Sequence, residues 1–296
     1  MDHIRKRKLK EKAIEALLLL CALLSVFITL SIVVILASES FGFFQEVSLA
    51  EFFTERQWTP LFADPKFGIL PLVAGTLLTT GIALTVALPL GLLVAVYLSE
   101  FAPHQAREII KPILELLAAV PTVVYGYFAL LFLTPMLQQF IPDLSGFNAL
   151  SPGIIMGIMI IPYVSSVSED AMKAVPMHIR EGSYAMGATK LQTAFRVIIP
   201  SAFSGIAAAF IIGISRAIGE TMVVAIAAGG MPSLTANPLE PVQTLTAYIV
   251  QVCLGDAPHG TVAYKTIFAA GITLFCMTLG FNLLGYWLRK RIREVY

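Results

Sequence analysis

Charge is scarce in this chain of 296 residues: Asp, Glu, Lys and Arg make up 13% of it, while 57% is apolar and the mean hydropathy is +0.81. A globular domain carries about 25% charged residues, so packing in water cannot be the main organising force, and lipid is the expected solvent. The net charge of +1 gives no footprint for nucleic acid. Cysteines number 3, too few and too dispersed for a disulfide framework: Cys21 and Cys276 fall in apolar runs and Cys253 stands alone in an outer segment. No metal-ligand spacing occurs. The pattern Gly-x-x-x-x-Gly-Lys-Ser/Thr is absent, which excludes ATP binding through a P-loop, and no nucleophile is spaced with a base. The expectation is a chain that is not an enzyme and holds no cofactor of its own.

What the chain has is apolar length. Six stretches can cross about 30 Å of hydrocarbon as helices, near 14–37, 69–98, 113–137, 152–168, 201–228 and 264–288. The fourth is short and interrupted by Pro162. The first follows a basic leader, as a secretory signal does. Its apolar run is too long for a signal and shows no small-x-small cleavage site, so it reads as an uncleaved span. Lys and Arg segregate. Arg5, Lys6, Arg7, Lys8, Lys10 and Lys12 precede the first span; Arg107 and Lys111 lie between the second and third. Lys173, Arg180, Lys190 and Arg196 lie near the segment between the fourth and fifth, and Arg289, Lys290, Arg291 and Arg293 follow the last. The opposite loops hold Arg56 and Lys66, with Lys265 at the outer end of the last span, and residues 229–263 have neither Lys nor Arg. The positive-inside rule puts both termini in the cytoplasm. The expected fold is an all-α, multi-pass protein of the cell (inner) membrane with six transmembrane helices. Its parts are a basic leader, first span and outer segment (1–68), a transmembrane domain (69–288) and a basic cytoplasmic tail (289–296).

Along the chain, the first span is Leu- and Ile-rich and is expected to face lipid. The outer segment 38–68 reads as a solvated acidic loop (Glu39, Glu46, Glu51, Glu55, Asp64), with Phe52, Phe53, Trp58 and Phe62 as interfacial aromatics. Pro89 should kink the second span. Thr76, Thr79, Thr80 and Thr85 most simply bond their own backbone. In the third span Pro121 and Gly126 should shape a bend, and Glu115 is shallow enough to snorkel without a role. Glu169 and Lys173, four residues apart, can pair on the surface.

The segment 175–200 is too polar for a bilayer. A helix over roughly Met177 to Met186 needs a residue at positive φ to stop, and Gly187 supplies it. Thr189 and Gln192 have capping-box spacing, so a second helix starts after Thr189, and Pro200 closes it. The expectation is helix, tight turn, helix on the membrane surface. An ordinary amphipathic hairpin would look alike. The spacing, however, resembles the cytoplasmic coupling loop of ABC-importer permeases: Glu-Ala-Ala, a Gly six residues after the Glu, then Ile-x-Leu-Pro. Here Glu181, Gly187, Val197, Ile199 and Pro200 fall on that spacing, with Gly182 and Ser183 in place of the alanines. The resemblance implies the type I ABC-importer permease architecture with a cytoplasmic coupling helix. It assigns ATPase coupling to Arg180, Glu181, Gly182, Ala185, Gly187 and Pro200.

The fifth span carries small residues every fourth position: Ser201, Gly205, Ala209, Gly213, Ala217, Thr221, Ala225 and Gly229. Such spacing admits close helix approach, either to a partner helix or to one of the same chain. Arg216 and Glu220 are spaced one turn apart, Arg216 about 22 Å in from the cytoplasmic end. A lone arginine there costs about 2.5–3.5 kcal/mol on insertion scales, which Glu220 would offset by pairing. Either the pair only fixes helix rotation, or it lines a wet path. The stretch SRAIGETM resembles the fifth helix of PstC-type phosphate permeases, and ALPLG and VPTVVYGY resemble the same branch; Met222 and Val223 depart from the PstA-type pattern.

The resemblance implies one membrane subunit of an ATP-driven phosphate importer, with Arg216 and Glu220 in the substrate path. The implied partners are a second, PstA-like permease subunit, two ATP-binding subunits that hold Mg-ATP, an external phosphate-binding protein and the lipid bilayer. A permease for sulfate or molybdate is a rival, because an arginine fork does not separate tetrahedral anions. A proton-coupled carrier using Arg216 and Glu220 as a relay is another, although such carriers show internal repeats and no convincing one occurs here. A sensor role for the cytoplasmic face is compatible with the first reading.

Overall fold

The structure, a computed structural model, describes residues 2–255, 258 and 260–292; the end of the expected basic tail, with Arg293, lies outside them. Among the described residues the chain is helical, with isolated bridges only at Trp58–Phe67 and Gly229–Val242. In order, α1 spans Asp2–Phe44, α2 Leu49–Thr54, α3 Leu70–Val96, α4 His104–Ala119, α5 Thr122–Phe128, α6 Thr134–Gln138 and α7 Leu150–Lys173. Then come α8 Met177–Ala185, α9 Lys190–Thr193, α10 Ile199–Ser201, α11 Phe203–Ile218, α12 Met222–Ala227, α13 Leu245–Leu254 and α14 Val262–Ile292. Single π-helical turns end α3 (Tyr97–Phe101), join α5 to α6 and join α9 to α10.

Among the described residues, four helices are long and apolar enough to cross a membrane: Lys10–Phe44, Leu70–Phe101, Leu150–Lys173 and Val262–Trp287. Two bent pairs raise the number to six: His104–Ala119 with Thr122–Gln138, bent by 90°, and Lys190–Ser201 with Phe203–Ile218, bent by 73°. The expected third span is therefore not straight. The bend falls at Val120–Pro121, where both residues are extended, because proline disfavours helix in the residue before it. Gly126 does not bend the chain; a Cβ there would meet Ile226 of α12 at 2.9 Å. The fourth helix corrects the sequence reading in the other direction. It is 24 residues long, runs through Pro162 without a break and is heavily buried. Helix α3 likewise continues through Pro89.

The centre of the bundle is α7 laid against α3 and α11. Gly153 and Gly157 make that approach possible: a Cβ on Gly157 would lie 2.6 Å from Val86 Cβ and 2.8 Å from the Ala83 carbonyl oxygen. Met156, Met159, Ile160, Val164, Ala83 and Ala87 close the layer. Overpacking such a contact costs about 1–3 kcal/mol, so Gly157→Ala should lower the melting temperature of the detergent-solubilised protein by several degrees. Gly280→Ala, with open space around it, should leave it unchanged or raise it. The small residues of α11 serve the same end. Gly205 faces Ala171 and Gly213 faces Val164 and Ile160, all on α7, so the crossing is internal to the chain.

The first helix exposes Leu17, Leu18, Leu23 and Phe27 as a lipid-facing helix requires, while its outer end packs on α14, where Ser40 Oγ donates to the Phe268 carbonyl at 2.9 Å. The outer segment is not simply a solvated loop. Phe43, Phe52 and Trp58 are buried with Leu72, Leu245 and Tyr248, and the Trp58 and Tyr248 rings meet edge to face at 5.1 Å. Burying these aromatics outweighs hydration of the segment, while Glu39, Glu46, Glu51 and Asp64 stay exposed. Thr76, Thr79 and Thr85 do bond their own helix, whereas Thr80 Oγ1 is buried without a hydrogen-bond partner; Thr76 Oγ1 also accepts from Leu245 N at 3.0 Å.

Candidate transport path and coupling hairpin

The polar hairpin forms as its residues require. Gly187 has φ +82 and ends the turn after α8, donating to the Tyr184 carbonyl at 2.9 Å. The Thr189 capping box is complete: its hydroxyl accepts from Gln192 N at 3.3 Å and its own N–H donates to Gln192 Oε1 at 2.9 Å. Ser183 and Thr193 hydroxyls, 2.9 Å apart, pin the two arms together. Of the residues assigned to coupling, Glu181, Gly182, Ala185, Gly187 and Pro200 are exposed. Met186 at the tip is 89% exposed.

Arg180 differs. Its side chain is 13% exposed and points into the protein. Nη1 donates to both Glu100 oxygens at 2.7 Å, and Nη2 to the Met172 carbonyl at 2.7 Å. An outward contact is not its geometry, because the bidentate partner lies at the end of α3. The pairing is not legible in the sequence, since the two residues are 80 apart.

Arg216 sits on the last turn of α11, half-buried, with its guanidinium carbon 4.1 Å from the centre of the Tyr163 ring. Its Nε is buried and makes no hydrogen bond within the protein. The expected ion pair with Glu220 does not form. Helix α11 ends at Ile218, and Gly219 caps it. The chain then breaks before α12, so the one-turn spacing no longer puts the two side chains on one face. Glu220 instead accepts from Met222 N and Val223 N at 3.1 and 3.3 Å, and its main-chain oxygen accepts from Thr246 Oγ1 at 2.6 Å. The sequence signal was Gly219 followed by Glu-Thr, a stop and a start within three residues. The cation is compensated by the aromatic face, an interaction of about 2 kcal/mol when desolvated, and keeps donors uncommitted.

Tyr163 also lines a cavity of about 300 Å³ between α4 and α7, with Lys111, Glu115, Pro162, Ser166 and Glu169. Glu169, 2% exposed, is paired with Lys173 at 2.5 Å and Lys111 at 3.1 Å. The Glu169–Lys173 pair thus exists, but around a buried carboxylate rather than on the surface, and Glu115, expected to have no role, lines the cavity wall.

A bundle of up to six spans, a polar hairpin between the fourth and fifth and an arginine with free donors in the fifth define a membrane-embedded permease of the ABC-importer kind. Residues 87–294 match the family described as binding-protein-dependent transport system inner membrane component, and the chain belongs to that family. It is 34% identical over 289 residues to the probable ABC transporter permease protein YqgH of Bacillus subtilis, covering 97% of this chain and 93% of the relative. It is 31% identical to the phosphate transport system permease protein PstC of Mesorhizobium japonicum, over 86% of this chain and 81% of the relative. Among solved structures, a bacterial alginate ABC transporter, in complex with its alginate pentasaccharide-bound periplasmic protein, superposes with TM-score 0.65 at 19% identity, covering 94% of this chain and 96% of that one. The MetNI methionine ABC transporter, in an inward-facing conformation, gives 0.56 at 18% identity, over 77% and 95%. These likenesses show a shared fold.

Proposed function

We propose that this chain is one permease subunit of an ATP-driven importer that carries inorganic phosphate into the cell. The observation that carries the reading is Arg216, whose buried Nε is unbonded and whose ring partner, Tyr163, leaves the guanidinium plane free to donate. A planar fork fits two oxygens of a tetrahedral anion and stays charged at any accessible pH. The phosphate permease relatives support the choice of anion. The partners in this reading are a second, PstA-like permease subunit, two ATP-binding subunits that hold Mg-ATP and an external phosphate-binding protein; both termini face the cytoplasm. ATP binding closes the ATPase dimer, the hairpin around Glu181 to Gly187 moves with it, and the spans pass from inward-open to outward-open. The drive is the preference of ATP for the closed dimer. The chain itself supplies the path and the lever and performs no covalent chemistry.

Sulfate or molybdate is the second reading, favoured by the same fork, which does not count protons on an oxyanion. The test is uptake of labelled phosphate into vesicles holding the full assembly with ATP at the ATPase side. A large excess of unlabelled phosphate should abolish the signal and the same excess of sulfate should leave it. Inhibition by sulfate, with labelled sulfate entering instead, would overturn the phosphate assignment.

A further inference from the structure

We propose that Arg180 is an internal strut, carrying movement of the hairpin into α3 and α7 through Glu100 rather than touching an ATPase subunit. The proposal rests on the reading of this chain as an ATP-driven permease. Around this one guanidinium the ends of three membrane helices and the hairpin converge. Nη1 holds both Glu100 oxygens at the end of α3, and Nη2 holds the Met172 carbonyl near the end of α7. Ser99 Oγ donates to Glu100 Oε1 at 2.6 Å, and Arg107 on α4 donates from Nη2 to the Ser99 carbonyl at 2.9 Å. Both side chains of the pair are largely withdrawn from water, at 13% and 6% exposure, unlike solvent-exposed ion pairs, which hold little.

Two further observations fit a transmitting role. Glu100 lies within the π-helical turn Tyr97–Phe101, closed by Ala102 N donating to the Tyr97 carbonyl at 2.8 Å. Single π turns are frequent at functional sites, where the helix ladder can change register. The face of α8 away from Arg180, with Glu181, Gly182 and Ala185, is left exposed. The hairpin therefore has an outer face open to a partner and an inner face bolted to the two helices at the centre of the bundle. A push on the first is delivered by the second.

The test uses the complete assembly with its ATPase subunits and external binding protein, and reads labelled phosphate taken up per ATP hydrolysed. Glu100→Gln and Arg180→Lys should leave the ATPase subunits co-purifying and hydrolysing ATP. Phosphate per ATP should fall by about 10-fold, within the 5–150-fold range of coupling between distant sites. A loss of assembly alone would lower both quantities and leave their ratio. An unchanged ratio in both variants overturns the strut, as does loss of the ATPase subunits in Arg180→Lys while Glu100→Gln keeps them. Should either variant fail to accumulate, hydrogen exchange on the wild-type assembly decides. Amides of 97–101 and 177–185 should change protection together on ATP binding; a change in 177–185 alone contradicts the proposal. A wild-type assembly that takes up no phosphate refutes the substrate reading separately and leaves the exchange result to judge the strut.

Discussion

Replacing Arg216 with alanine is expected to lower ATP-driven phosphate uptake about 100-fold, the loss of a bidentate pair of charge-assisted hydrogen bonds at about 1.5–3 kcal/mol each partly offset by water. Arg216→Lys keeps the charge and loses the fork, and should fall between that variant and wild type. Neither change should weaken association with the ATPase subunits. The side chain lies on the last turn of α11 beside Tyr163, away from the hairpin. The alanine variant should change stability little: it gives up the contact with the Tyr163 ring but also removes a half-buried cation that has no carboxylate partner, and the two oppose each other. The pattern to look for in a flux assay and a melting curve is transport lost with melting temperature nearly unchanged. Wild-type uptake by Arg216→Ala would remove the guanidinium from the path.

The second large effect is expected at Gly187. Its φ of +82 is a conformation side chains disfavour, by about 1–2 kcal/mol per residue, so Gly187→Ala should weaken the hairpin modestly. Gly187→Trp is the sharper test. A Cβ at this position meets nothing within 4 Å, and the strain at its positive φ is confined to the hairpin turn, so the membrane helices should fold as before. A partner groove receiving the turn would be blocked. Co-purification of the ATPase subunits and phosphate uptake should both be lost, while the protein reaches the membrane at its normal level. Normal association and transport would show that nothing docks at this turn.

These two sites were legible in the sequence to different degrees, and the difference is physical. The hairpin was legible in detail because local chemistry dictates it. A glycine at positive φ and a threonine with a glutamine three residues on each determine their own backbone, and the structure has both where expected; Pro200 instead lies in the first turn of α10, and the chain bends one step later, at Ala202. Span positions were legible from apolar length, and the bend at Pro121 from the residue type, but not its 90° extent. What failed was inference across a helix break or between distant segments. The Arg216–Glu220 pair assumed one continuous helix; Gly219 interrupts it and sends the carboxylate to cap α12. Arg180, grouped with the coupling residues by resemblance, gave no sign of its inward pairing because its partner, Glu100, comes from another helix. The acidic outer segment hid an aromatic core because Trp58 and Tyr248 are brought together only by tertiary packing.

In the proposed cycle the hairpin passes work from separate ATP-hydrolysing subunits to a path lined by Arg216. The most direct measurement is labelled phosphate accumulation in sealed vesicles, made with this chain and its permease partner in the presence and absence of the ATPase subunits. Accumulation against a gradient is expected only when the ATPase subunits and ATP are both supplied. Accumulation by the membrane subunits alone, with no ATPase present, would show that the hairpin transmits no such work.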